Sequence, residues 1–107
     1  MSKKDRLTTA DFRKLRPGRR FHGALVTLSV ASLEKGPARY SCVVSKKVSP
    51  LATTRNRIKR RLRNAVVAAG IPRQPLALVF TAKKSSVDAA YRDIIADVSS
   101  VLRNIRS

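Results

Sequence analysis

Apolar residues recur along this chain at more than one spacing, and each spacing predicts an element. Between Arg19 and Val30 the residues favour extended structure, with Val26, Leu28 and Val30 on one face and Leu25, Thr27 and Ser29 on the other. The turn-forming stretch Leu33-Glu34-Lys35-Gly36-Pro37 then leads into a second extended run from Arg39 to Val44. The two runs are expected to pair as antiparallel strands, with room for an extra short strand around Arg20.

The spacing then changes. Ser49-Pro50 reads as a cap and first helical position, and Gly70 followed by Pro72 reads as a stop, which brackets a helix of about 20 residues. At about 100° per residue, Leu51, Ile58, Leu62, Ala65, Val66 and Ala69 share one side of it. Asn56, Arg57, Arg60, Arg63 and Asn64 share the opposite side, while Arg55, Lys59 and Arg61 flank the apolar stripe. Leu76 to Thr81 has the length and apolar character of a buried strand. Ser85 or Ser86 is expected to cap a last helix that begins near Asp88 and carries Tyr91, Ile94, Ile95, Val98, Leu102 and Ile105 at helical spacing. Near the start, Thr8 or Thr9 can cap a short helix with Asp11 in its first turn, Phe12 and Leu15 on one face, and Pro17-Gly18 as its stop. Met1 to Leu7 is mostly polar and basic and is expected to be mobile.

The predicted order is therefore α-β-β-α-β-α, or α-β-β-β-α-β-α with the extra strand: an α+β chain whose helices pack on a mainly antiparallel sheet. Its 107 residues suit one domain over residues 1–107. No repeat or low-complexity tract interrupts it.

Charge narrows the function. Twenty-four Lys and Arg face six Asp and Glu, leaving a net +18 that repels itself unless a polyanion is bound. The field is also polarised: no acid occurs from Lys35 through Val87, and three of the six acids are Asp88, Asp93 and Asp97. A membrane competes poorly as the anion, because no apolar run approaches the ~20 residues needed to span and the N-terminus lacks the apolar core of a signal peptide. Cys42 stands alone in an apolar stretch, which excludes an intramolecular disulfide and favours a reduced, cytoplasmic setting. With one histidine, His22, there is no clustered zinc site, and no nucleophile triad, phosphate loop or dinucleotide fingerprint appears.

The candidate site is the basic helix, where six of the nine residues from Arg55 to Arg63 are cationic. Neighbouring like charges on a helix cost a few tenths of a kcal/mol per pair, roughly, so the array opposes stability and suits phosphate binding. Asn56 adds an amide that can bridge a phosphate, a 2′-hydroxyl, a base edge or a metal-bound water.

The segment Ser45-Lys46-Lys47-Val48, a short step through Thr54, and then Arg55-Asn56-Arg57-Ile58-Lys59-Arg60-Arg61-Leu62-Arg63 resembles the signature of the bacterial ribonuclease P protein. A weaker likeness extends through Leu7 to Phe12, the strand order and the final helix. The resemblance implies a two-layer α/β sandwich related to a ribosomal protein domain, with a left-handed β-α-β crossover through Arg39 to Val44, the basic helix and Leu76 to Thr81. It also implies a ribonuclease P holoenzyme in which RNA is the catalytic subunit and the protein assists Mg²⁺-dependent endonucleolytic removal of the 5′ leader from precursor tRNA. By motif position, Arg55, Asn56, Arg57, Lys59, Arg60 and Arg63 would face the catalytic RNA. Phe12, Lys46 and Lys47, with Asn56, would meet the single-stranded leader. No catalytic or metal-binding residue, membrane or obligate protein partner is implied for the chain itself. The alternative is a ribosomal or other basic RNA-binding protein with no processing role, which would share charge, size and fold.

Overall fold

A computed structural model of the chain describes residues 18–33 and 37–105. The segment expected to form a short N-terminal helix, with Phe12 and Leu15, and most of the loop after Leu33 lie outside the described residues. Within them the order is β1 (Arg19–His22), β2 (Val26–Ser32), β3 (Arg39–Val43), α1 (Ala52–Ala69), β4 (Leu76–Ala82), a 3₁₀ turn (Lys84–Ser86) and α2 (Tyr91–Ile105). This is a mixed α+β architecture, with one four-stranded sheet in the order β1-β2-β4-β3.

The alternation in β2 has the expected result. Val26, Leu28 and Val30 are buried, as are Tyr40 and Cys42 of β3 and Leu78, Phe80 and Ala82 of β4. On these rest Ile58, Leu62, Ala65 and Val66 of α1 and Ile94, Val98, Val101, Leu102 and Ile105 of α2, so both helices close a single cluster over one face of the sheet. On the other face, the directly paired Ala31 and Ala77 form a smaller buried pair, flanked by Leu33 and Val79.

The expected pairing of the first two extended runs does not occur. The segment from Arg19 to Val30 folds on itself, so that β1 and β2 form the antiparallel hairpin. The partner of β2 is β4, antiparallel over seven residue pairs from Val26–Ala82 to Ser32–Leu76. β3 lies beyond β4 and runs parallel to it, from Arg39–Ala77 to Val43–Thr81. β4 is buried along much of its length, and a strand with little polar surface gains most from the central position. Chain order alone would have left it at an edge.

Both helices start later than expected. α1 begins at Ala52 after Leu51, whose extended backbone forms the cap without a side-chain hydrogen bond. Ser49 is turned to the connection instead, its Oγ accepting the Leu51 N–H at 3.3 Å. Leu51 consequently stands outside the apolar stripe and is 62% exposed. Gly70 ends the helix as expected, at φ 82°, donating its N–H to the Val66 carbonyl at 3.0 Å. The hydroxyls proposed to cap α2 are used elsewhere: Ser85 donates to the Ala24 carbonyl at 2.8 Å, and Ser86 to the Lys83 carbonyl at 2.6 Å. These bonds hold a 3₁₀ turn, and α2 starts only at Tyr91, which is exposed.

Candidate nucleic-acid interface

The basic residues take their positions from the apolar stripe of α1. With Ile58, Leu62, Ala65 and Val66 fixed on the sheet, the helical period directs Asn56, Arg57, Arg60 and Asn64 outward, and all four are exposed. Lys59, Arg61 and Arg63 are half-buried on the flanks, as long side chains are that can lay their stems on apolar surface with the charged head in water. The helix carries no acid, so no neighbour neutralises this face from within. Its first turn adds to the field: Leu51 offers no side chain to the leading N–H groups, and no acid in that turn offsets the positive end of the helix dipole.

Four of the predicted residues line one shallow recess. Asn56, Lys59, Arg60 and Arg63 surround a volume of about 360 Å³, an amide among three cations. Arg57 is exposed but takes no part in this recess. Arg55 is different again, because its guanidinium turns back and donates to the Ser49 carbonyl at 2.9 Å. It ties the connection to the helix, which limits its reach toward a ligand.

Lys46 and Lys47 are exposed in a turn closed by the Val48 N–H donating to the Ser45 carbonyl at 3.0 Å. Buried Val48 and Ser49 anchor the following residues, so the turn is held at the end of β3 from which α1 departs. Phe12, also expected to contact a leader, lies outside the described residues.

The topology adds residues that sequence reasoning did not select. Since β3 and β4 are parallel neighbours, the segments leaving their C-terminal ends emerge at the same end of the sheet. Lys83 and Lys84 therefore share an end with Lys46, Lys47 and the start of α1. Lys83 is half-buried and donates from Nζ to the Gly23 carbonyl at 2.5 Å, whereas Lys84 is exposed. Their charge was visible in the sequence. Their proximity depended on a strand pairing that the chain order disguised.

Acids gather beside the turn that Lys83 reaches. Asp88, Asp93 and Asp97 line a separate recess of about 560 Å³ with Ala24, Leu25 and Ser85. Asp97 is committed to structure: Oδ1 accepts the Ala24 N–H, and Oδ2 accepts the N–H groups of Leu25 and Val26, each at 2.9 Å. A Cβ on Gly23 would collide with that carboxylate, so the turn between β1 and β2 needs glycine there. The face of α1 thus carries cations without acids, whereas Asp88, just before α2, and Asp93 and Asp97 on α2 gather at the β1–β2 turn, which Lys83 also reaches.

The remaining expectations are simply placed. His22 is exposed on β1, beside Thr27 in register. Cys42 is buried and forms no disulfide. No helix among the described residues is long and apolar enough to cross a membrane. Nor do these residues hold a group of three or more His, Cys, Asp or Glu able to bind a metal ion. The basic face of α1 does not fit Mg²⁺, which prefers carboxylate, phosphate and water oxygens to guanidinium and ammonium groups.

Comparison with known proteins agrees with this construction. A family model described as Ribonuclease P matches residues 1–106. A ribonuclease P protein component of Thermus oshimai is 38% identical over 92 residues, covering 86% of this chain and 58% of the relative. That of Microcystis aeruginosa is 44% identical over 55 residues, 46% of this chain and 44% of the relative. The chain thus spans about half the length of the relatives it matches. Among solved structures, an RNase P protein from Staphylococcus aureus superposes with a TM-score of 0.81 at 22% identity, over 97% of both chains. The RNase P protein from Thermotoga maritima gives 0.79 at 20% identity, over 95% of this chain and 98% of that one. At these identities the structural likeness establishes the fold.

Proposed function

Since the chain belongs to the ribonuclease P protein family, we propose that it serves as the protein component of a ribonuclease P holoenzyme that removes the 5′ leader of precursor tRNA. The observation that carries the proposal is the acid-free cationic face of α1, held rigid by an apolar stripe buried on the sheet. A rigid row of cations meets RNA phosphates without first being ordered, and each phosphate neutralised releases counterions. Arg57, Lys59, Arg60 and Arg63 bind the catalytic RNA in this reading, with Asn56 bonding to its sugar or base edges. Arg55 acts mainly by fixing the approach to the helix.

The leader is received at the end of the sheet where β3 and β4 finish. Lys46 and Lys47 meet its phosphates, Lys84 extends the row, and Phe12 supplies an aromatic face for a base. Cations along a backbone with a stacking surface bind single strands with little regard to sequence, which suits an enzyme that processes many precursors. The cleavage chemistry belongs to the RNA subunit, which also holds the Mg²⁺. The protein contributes binding and orientation.

The test compares two ligands of the reconstituted holoenzyme, precursor tRNA and mature tRNA. Changing Lys46 and Lys47 together to Ala, or making Phe12→Ala, is expected to weaken precursor binding several-fold while mature tRNA affinity stays within about twofold. Equal losses for both ligands would contradict the assignment of these residues to the leader.

A further inference from the structure

Beyond the basic recess, the outward face of α1 changes character. Val67 is 63% exposed, and Ala68 beside it is exposed as well, on a helix whose other large apolar residues are buried. The two line a second recess with Arg60, Arg63 and Asn64, about 480 Å³ in volume. The recess falls within the roughly 300–1,000 Å³ range of small-ligand sites. Arg60 and Arg63 belong to both recesses, so a polar pocket and a part-apolar pocket meet along one helix face.

We propose that this second recess holds an unpaired nucleobase of the bound RNA, with Val67 and Ala68 as its apolar floor. The inference rests on the RNA-binding role of α1 given above and adds what that face recognises. Each wall has a counterpart in a base. A guanidinium of Arg60 or Arg63 offers a planar cation to the ring face, the Val67 and Ala68 methyl groups take the rest of the ring out of water, and the Asn64 amide can donate to and accept from its edge. The positions also agree: Arg60, Asn64, Val67 and Ala68 are four, three and one residues apart and lie on one helical stripe. A paired base would present only its edge, so the site suits a nucleotide splayed out of a loop or bulge. The two shared arginines place its phosphate toward Asn56 and Lys59, where the polar recess lies. Charge complementarity points to RNA as the occupant, since a protein partner seated here would have to desolvate the same arginines.

The experiment uses the full chain and two fluorescent twelve-nucleotide RNAs of equal charge, oligoadenylate and its abasic counterpart, with affinities read by anisotropy. For the unaltered chain, oligoadenylate should bind at least about fivefold more tightly, the lower end expected for stacking one base. A chain carrying Asn64→Ala and Val67→Ser should lose most of that preference while its affinity for the abasic strand, and the salt dependence of that affinity, stay unchanged. Both substitutions are on an exposed helix face, and circular dichroism of the variant checks that it is folded. A preference that survives the double substitution undiminished would place base recognition elsewhere and overturn the proposal. So would equal binding of the two strands by the unaltered chain. Sedimentation that shows a dimer of the chain lost on Val67→Ser would assign the recess to a second copy and likewise overturn it. Failure of the unaltered chain to bind either strand would instead contradict the RNA-binding role of the helix itself.

Discussion

Asp97 joins two parts of the fold that are far apart in sequence, and removing its carboxylate should be costly. It accepts three backbone N–H groups at 2.9 Å, two of them partly buried and the one from Ala24 exposed. In Asp97→Ala, water can satisfy the exposed N–H. The Leu25 and Val26 donors face a gap, and an unsatisfied partly buried donor costs about 1–3 kcal/mol. Allowing for some relaxation of the turn, the expected loss is about 3 kcal/mol. For a domain of this size that is a fall in Tm of roughly 12–24 °C. Asp97→Asn keeps one acceptor oxygen and should lose roughly half as much. The control is Asp93→Ala, an exposed position in the first turn of the same helix, which removes the same charge but no bond to the turn. Its expected cost is about 0.3–1 kcal/mol, from the helix dipole. Differential scanning calorimetry and urea unfolding at fixed salt measure all three. If Asp97→Ala and Asp93→Ala agree within about 0.5 kcal/mol, the carboxylate does not clamp the turn and the reasoning fails.

Changing Arg57 and Arg60 together to Ala should weaken binding to a bacterial ribonuclease P RNA and reduce the slope of log K against log salt by about 1.4–1.8, corresponding to two lost phosphate contacts. An unchanged slope in a filter-binding titration would show that neither side chain meets a phosphate. Leu62 is 1% exposed at the centre of the interface between α1 and the sheet, so Leu62→Ala should cost about 2–5 kcal/mol in urea unfolding. A cost under about 1 kcal/mol would mean that the stripe does not fix the helix. At Gly70 an added Cβ would meet nothing within 4 Å, yet φ is 82°. Gly70→Ala should therefore destabilise by about 1–2 kcal/mol through backbone conformation alone, which thermal unfolding can measure.

The elements that could be read from the sequence are those fixed by local period. Val26, Leu28 and Val30 alternate because a strand exposes its residues to opposite faces in turn. Ile58, Leu62, Ala65 and Val66 repeat because a helix turns every 3.6 residues, and the outward direction of Arg57 and Arg60 follows from that repeat. What escaped was decided over long distances. The loop from Leu33 to Pro37 has the composition of a hairpin turn, but β4 enters between β2 and β3 because its two-sided apolar surface is best buried at the centre of the sheet. That insertion also brings Lys84 to the same end as Lys46, a proximity with no local signal. Ser49, Ser85 and Ser86 are suitable caps by residue type, but Ser85 is taken by the distant Ala24 carbonyl, while Ser49 and Ser86 make local bonds in the connections before the helices. Asp97 looked like one acid among three on the last helix, since nothing near it in sequence names the turn it holds.

The central claim is that the chain assists an RNA catalyst through the basic face of α1, and cleavage of precursor tRNA tests it most directly. The purified chain is added to a bacterial ribonuclease P RNA at a Mg²⁺ concentration too low for the RNA to act well alone, and release of the 5′ leader is followed over time. The expected result is no cleavage by the chain alone, rapid cleavage at the mature 5′ end when chain and RNA are combined, and a marked loss of that stimulation when Arg57 and Arg60 are changed to Ala. Cleavage by the chain without RNA, or an RNA whose rate is unaffected by the chain, would contradict it.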